Sequence, residues 1–254
     1  MAAQDTADPA EETDFGFRRV PTADKSALVQ GVFESVARRY DVMNDLMSVG
    51  IHRLWKDALV DRLRPRPGET LVDVAGGTGD IAFRLAARAQ GARIVVVDLT
   101  PAMVAVGRDR AIDRNILSGI DWLAGNAERL PLPDRTADAV TIAFGLRNVA
   151  RRADALAEMH RVLRPGGRFV CLEFSHVALP GLDRLYDLYS FAVLPRLGAA
   201  VAGDAESYRY LVESIRRFPT QEVLAGEMVA AGFGRVSWSN LSGGVAALHV
   251  GWRI

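Results

Sequence analysis

The chain has 254 residues, 49% of them apolar, which is enough for one compact domain with decorations and a sizeable buried core. Lysine plus arginine and aspartate plus glutamate number 31 each, so no net field draws the protein toward nucleic acid or anionic lipid, and a nucleic-acid partner is not expected. The one cysteine, Cys171, has no disulfide partner and sits in the apolar run 168–174, where a buried structural thiol is expected rather than a nucleophile.

Residues 1–20 begin acidic and polar, with neither the basic start nor the apolar core of a signal peptide, and are expected to form a disordered tail on a cytoplasmic protein. Leu28, Val32, Val36 and Tyr40 then recur every four residues, flanked by Val29, Phe33 and Ala37, which predicts an amphipathic helix started by Thr22 or Asp24. A second, irregular helical region over 43–63 carries Met43, Leu46, Met47, Ile51, Leu54, Trp55 and Leu59, and ends at Arg-Pro-Arg-Pro-Gly, 64–68. Together, residues 21–66 read as cap helices placed ahead of a nucleotide-cofactor fold.

That fold opens at 70–80, Thr-Leu-Val-Asp-Val-Ala-Gly-Gly-Thr-Gly-Asp, a strand running into a glycine-rich turn. Gly76, Gly77 and Gly79 let the backbone turn tightly and lie close to a ligand. The next strand, Arg-Ile-Val-Val-Val-Asp at 93–98, ends in Asp98, a carboxylate placed to accept both ribose hydroxyls. Nicotinamide dehydrogenases and S-adenosylmethionine (SAM) methyltransferases share this layout, and Gly77, Gly79 and Ala82 also satisfy the loose dinucleotide pattern. Asp73 favours SAM: a carboxylate at the first strand's tip repels a pyrophosphate but can hold the ammonium of a methionine moiety.

Further strands are predicted near 121–124, 138–144 and 168–174, alternating with helices near 80–90, 101–114 and 153–163, so the sheet is parallel and covered on both faces. Arg164-Pro-Gly-Gly167 ends the last of these helices and restarts the chain as a strand. Residues 182–218 form a helical insertion. A helix over Gln221–Ala231 leads to strands at 235–240 and 245–254 that must pair as a hairpin. A parallel sheet finished by a hairpin with an antiparallel last strand is the seven-stranded, Rossmann-like class I SAM-dependent methyltransferase arrangement. Residues 21–254 are therefore read as a single α/β domain, with 21–66 and 182–218 attached where they can roof the carboxyl edge of the sheet and shape a substrate pocket.

Asn126, after the third strand, is placed to bond the exocyclic amine of an adenine, or else only to shape a turn. After the fourth strand, Gly145 permits close approach and Arg147 and Asn148 can enter the cleft. His52, among Ile51, Leu54 and Trp55, is a candidate base or a structural histidine. Tyr208, Tyr210, Arg209 and Glu213 either grip a substrate ring or staple the insertion to the sheet. The four histidines show no metal-ligand spacing, so no metal is expected. The longest apolar stretch outside the sheet, Phe191–Gly203, is interrupted by Pro195 and Arg196 and is short of the ~20 residues that span a bilayer, so no transmembrane segment is expected.

The segments Tyr-Asp-Val-Met-Asn-Asp-Leu-Met-Ser (40–48), Gly-Ile-His-Arg-Leu-Trp-Lys (50–56), Ala-Gly-Gly-Thr-Gly-Asp (75–80), Phe-Gly-Leu-Arg-Asn-Val (144–149) and Ser-Tyr-Arg-Tyr-Leu-Val-Glu-Ser-Ile (207–215) resemble the UbiE/MenG family. The resemblance runs from about residue 15 to the C-terminus. It implies SAM-dependent methylation of a ring carbon of a polyprenylated quinol, a benzoquinol or a naphthoquinol, in ubiquinone or menaquinone biosynthesis. It carries SAM contacts onto Thr78, Asp98, Asn126 and Ala127, and at position 143, where the family usually has serine, this chain has Ala143, so any contact there comes from backbone. A ring carbon attacks well only beside a phenolate, so the resemblance suggests that Arg147 favours the phenolate and orients a water, with Asp187, Tyr186 and Tyr189 as pocket residues and candidate proton acceptors. An isoprenoid substrate further implies peripheral contact with the inner face of a membrane, a quinone-biosynthesis complex or an oligomer, with apolar residues of 188–201 and 43–47 lining a tail channel. The competing readings are a SAM methyltransferase of another small acceptor and a non-catalytic scaffold. The chain contains no Pro-Pro dipeptide, so the Asn-Pro-Pro-Tyr signature of base-amine methylation is absent.

Overall fold

The computed structural model describes residues 11–36, 45, 48, 50–177 and 205–254. The stretch expected as the end of a disordered tail instead forms a hairpin, β1 (Glu12–Phe15) and β2 (Arg18–Pro21), antiparallel with Phe15 opposite Arg18. Gly16, at φ 61°, allows the two-residue turn, and Phe15 is buried against Tyr210 with ring centroids 4.2 Å apart. That anchoring ring outweighs the polar composition of the segment. Residues 1–10 of the same expectation lie outside the described residues.

Helix α1 (Thr22–Val36) starts at the expected threonine and buries Val29 and Phe33, while Leu28, assigned to the same apolar face, is 38% exposed. Helix α2 (His52–Leu63) buries Trp55, Leu59, Val60 and Leu63 and ends at Arg64, whose left-handed backbone (φ 52°) turns the chain into the sheet. Strand β3 (Thr70–Val74), helix α3 (Asp80–Arg88), strand β4 (Arg93–Asp98), helix α4 (Pro101–Asp113), strands β5 (Ile120–Ala124) and β6 (Ala137–Ala143) and helix α5 (Arg152–Val162) follow as expected.

Strand β7 (Leu163–Phe174) begins five residues before the expected 168. Leu163 pairs with Ala137 and Arg168 with Ala139, so Arg164–Gly167 is accommodated as an irregularity within the strand rather than as a break before it. Gly166 N–H donates to Arg253 O at 2.6 Å and Arg253 N–H to Gly167 O at 2.9 Å, which ties this irregular stretch to the C-terminus. Helix α6 (Ala205–Arg217), helix α7 (Gln221–Ala230), strand β8 (Gly234–Leu241) and strand β9 (Ala246–Trp252) complete the described elements.

Seven strands pair in the order β5-β4-β3-β6-β7-β9-β8, and β9 alone runs against its neighbours β7 and β8. Side chains alternate between two cores, as the two-residue repeat of a strand requires. In β4, Ile94 and Val96 face the core built with α2, α3 and α6, while Val95 and Val97 face the one built with α5 and α7. Each fully buried valine or leucine contributes about 1.5–3 kcal/mol relative to exposure. The chain runs outward from β3 to β5 and returns to β6, so the strand order reverses between β3 and β6. A ligand crevice is expected at the carboxyl ends of these two strands.

Candidate active site

Both strands leave the sheet through strained residues. Ala75, after β3, has φ 50° and Phe144, after β6, has φ 57°, left-handed conformations that non-glycine residues rarely adopt and that cluster at functional sites. The two turns touch: a Cβ at Gly145 would lie 2.5 Å from the Ala75 Cβ. Gly79 has φ 85°, and a Cβ there would overlap the Trp122 ring. Gly79→Ala is accordingly expected to cost at least ~2 kcal/mol, combining left-handed strain with overpacking. A urea unfolding midpoint equal to that of the wild type would contradict this.

The crevice has two compartments that share Ala75, Gly77 and Phe144. In the first, the predicted Asp73, Gly77, Thr78 and Ala143 are joined by Lys56 and Asp80. Asp73 is fully buried; its Oδ1 accepts the Thr141 hydroxyl at 2.8 Å, and its Oδ2 is buried without a hydrogen-bond partner among the described residues. Burial pushes the Asp73 carboxyl up to about 7, against the pull of Thr141. Lys56, also buried, gives its ammonium to Asp80 at 2.7 Å. Burial raises the Asp80 carboxyl, but Lys56 and Arg84 outweigh it and hold the group below its ordinary range. The Thr78 hydroxyl accepts Arg110 Nη1 at 2.9 Å.

The second compartment, with about 640 Å³ of space including its open mouth, is lined by the predicted Gly77, Asp98, Asn126 and Ala127 and by Asn148, and α1 covers it with Ser26, Val29 and Phe33. Asp98 Oδ2 accepts Gly77 N–H at 2.8 Å and Oδ1 accepts Thr100 N–H at 2.9 Å. The expected ribose acceptor is therefore also the brace of the glycine loop, and each oxygen keeps one lone pair for a ligand. Burial raises its carboxyl despite both amides. Asn126 Oδ1 accepts Glu128 N–H at 2.9 Å, so it shapes a turn while its residue lines the cleft.

Two candidates do not join these groups. Arg147, expected in the cleft, lines neither compartment. Its side chain is 2% exposed and its Nη1 donates to Glu173 Oε1 at 2.7 Å and to Phe144 O at 2.5 Å, while its Nε is buried without a partner among the described residues. Glu173 attracts it: a buried carboxylate next to a buried guanidinium is paired in preference to reaching for solvent. His52 is buried, with Nδ1 2.9 Å from Ser48 Oγ, and lines a separate depression with Asp80 and Arg84. Burial, then the Lys56 charge, pushes it down to about 4, so it is neutral at pH 7 and structural in geometry. Asp187, Tyr186 and Tyr189 lie outside the described residues. Tyr210 donates to Asn148 Oδ1 at 3.0 Å and stacks on Phe15, which makes it a staple. Among the described residues no group of three or more His, Cys, Asp or Glu is placed to hold a metal ion.

No local motif marks Lys56 or Thr141, which complete the first compartment, or Glu173, which holds Arg147 beside it. Thr141 and Glu173 reach it only through strand register, Asp73 opposite Thr141 and Ala143 opposite Leu172, which no local motif records.

The sequence profile of the ubiE/COQ5 methyltransferase family matches residues 21–253. This chain belongs to that family. It is 62% identical to the ubiquinone/menaquinone biosynthesis C-methyltransferase UbiE of Methylobacterium nodulans over the whole of both chains. It is 57% identical to the enzyme of the same name from Paracoccus denitrificans, with 98% of this chain and all of that one covered. The fold is shared with a SAM-dependent methyltransferase from Thermotoga maritima (TM-score 0.63, 21% identity, 89% of this chain and 100% of the other). A second match is a SAM-dependent methyltransferase from Methanococcus maripaludis (TM-score 0.60, 16% identity, 85% and 91%). The arrangement read from the sequence, a seven-stranded, mostly parallel sheet closed by an antiparallel strand, is the one observed, and family and fold imply SAM as methyl donor.

Proposed function

We propose that the chain transfers a methyl group from SAM to a ring carbon of a polyprenylated quinol in ubiquinone or menaquinone biosynthesis, a reading carried by its full-length identity to enzymes of that name. The site fits the donor. Asp73 holds a buried carboxylate oxygen without a partner among the described residues, the demand a ligand ammonium would meet, in the charged compartment, and the roofed compartment beyond offers Asp98 and Asn126 to an adenosine. SAM, when bound, supplies a sulfonium methyl already activated for transfer. Asp73 would hold its ammonium, Asp98 its ribose, and backbone at Ala143 would replace the hydroxyl that serine supplies in other members.

What remains for the protein is alignment and exclusion of water. Val29 and Phe33 close the roof, and the Phe144–Asn148 turn presents Asn148 to the cleft. Arg147 acts on the acceptor through this turn rather than by contact, and Asp187 and Tyr189 are the proposed acceptors of the phenol proton. Among the described residues no helix is long and apolar enough to cross a membrane, so a lipid acceptor would be met at a bilayer surface, by peripheral contact or through a partner enzyme.

Quinones extracted from cells lacking the protein test the reading. An accumulated intermediate that lacks the ring methyl is expected, and an unchanged quinone profile would contradict it. The retained ring structure of that intermediate distinguishes benzoquinol from naphthoquinol.

A further inference from the structure

Glu173 has no place in the chemistry so far, yet it is 1% exposed at the end of β7, one residue past the last register pair with β6. Its Oε1 accepts Arg147 Nη1 at 2.7 Å and Phe174 N–H at 2.9 Å, and its Oε2 faces Arg147 N–H at 3.3 Å. The carboxylate thus fills the gap where β6 leaves the sheet, and grips both backbone and side chain of the turn that carries Asn148. Arg147 passes the hold on to Phe144 O, beside the left-handed Phe144 that walls both compartments. Replacing a buried ion pair by an apolar pair of similar volume is often neutral or stabilising, since buried ions lose their hydration and recover it only through good geometry. What this pair does supply is geometry: it holds the turn by three hydrogen bonds to Arg147 and Phe144.

Resting on the SAM C-methyltransferase reading above, we propose that Glu173 is a positioning residue for methyl transfer: through Arg147 it fixes the 144–148 turn, and with it the acceptor ring, against the donor methyl. The turn also walls the donor compartments, but the carboxylates offered to the donor, Asp73 and Asp98, are held by Thr141, Gly77 and Thr100 and not by Arg147 or Glu173, so donor affinity should depend on this hold less than turnover does. The two functions should therefore separate.

The test compares wild type, Glu173→Gln and Glu173→Asp for turnover on a quinol acceptor, SAM affinity by calorimetry and thermal melting. Misplacement of a reacting group by about 1 Å costs on the order of 100-fold. Glu173→Gln is expected to lose roughly 10- to 100-fold in kcat with SAM affinity within about 3-fold of wild type, and Glu173→Asp, which keeps the charge on a shorter arm, is expected to fall between. Wild-type kcat in Glu173→Gln would overturn the proposal, as would loss of SAM affinity by the same factor as kcat, the mark of a merely structural role. If Glu173→Gln fails to fold, Glu173→Asp decides: reduced kcat at unchanged SAM affinity supports the proposal, and wild-type kcat overturns it. An active wild type with unaffected variants removes only the role of Glu173, whereas a wild type that binds SAM but methylates no quinol removes the underlying reading as well.

Discussion

Asp73→Asn is expected to weaken SAM binding about 100-fold while making the ligand-free protein more stable at pH 8. Both effects come from one buried carboxylate. Its pKa stands at about 7 in the fold against 3.8 unfolded, chiefly through burial, so between these values the folded state holds a proton that the unfolded chain has released. Stability therefore falls as pH rises from about 4 to about 7, by up to about 4 kcal/mol, and levels off above. The amide carries no charge and should show no such slope, so its melting temperature should exceed that of the wild type at pH 8 and approach it near pH 4. The same charge is what a ligand ammonium needs, and removing one member of a buried charge pair costs ~2–5 kcal/mol of binding. SAM affinity of the wild type should accordingly strengthen as pH rises toward 7, and that of Asp73→Asn should not. Parallel melting curves for the two proteins across this range, or equal SAM affinities, would refute this account of Asp73.

Arg147→Ala is expected to destabilise the fold by ~3–5 kcal/mol and to reduce turnover at least ~100-fold while SAM still binds. The loss of stability arises because Glu173 would keep a buried charge with its main partner gone. Removing both charged groups should restore part of it, so Arg147→Ala combined with Glu173→Ala should be more stable than Arg147→Ala alone. Urea denaturation of the two single variants and the double variant measures the coupling. A single-variant loss below ~1 kcal/mol, or additive losses in the double, would mean that the pair is not the buried unit its distances describe.

Legibility from the sequence followed the range of the interaction. Strand β4 was bounded correctly at 93–98 because Ile-Val-Val-Val is a continuous apolar run ending in an acid. Asp73 was readable as a strand-tip carboxylate because the residues that place it, Val74 and the glycine turn, follow it directly. Arg147 was located correctly but aimed wrongly. Its partner Glu173 is 26 residues away and becomes a neighbour only when β6 and β7 pair, so nothing within the Phe-Gly-Leu-Arg-Asn segment reveals that the guanidinium is taken. For His52 the sequence leaves a base and a structural histidine both open, since its burial beside Lys56 depends on how α2 packs. The hairpin over 12–21 did carry a signal, alternation around Gly16 with phenylalanine on either side, but the acidic start masked it. Asp98 shows the reverse case: its place at the cleft is legible at the end of its apolar strand, and the fold adds a second duty in bracing Gly77 and Thr100.

The most direct measurement is reconstituted transfer: the purified protein, SAM bearing a deuterated methyl group, and a reduced quinol with an isoprenoid tail, followed by mass spectrometry and NMR of the product. The label is expected on a ring carbon of the quinol, in step with formation of S-adenosylhomocysteine. A label on oxygen, or no transfer by a protein that is folded and binds SAM, would contradict the assignment.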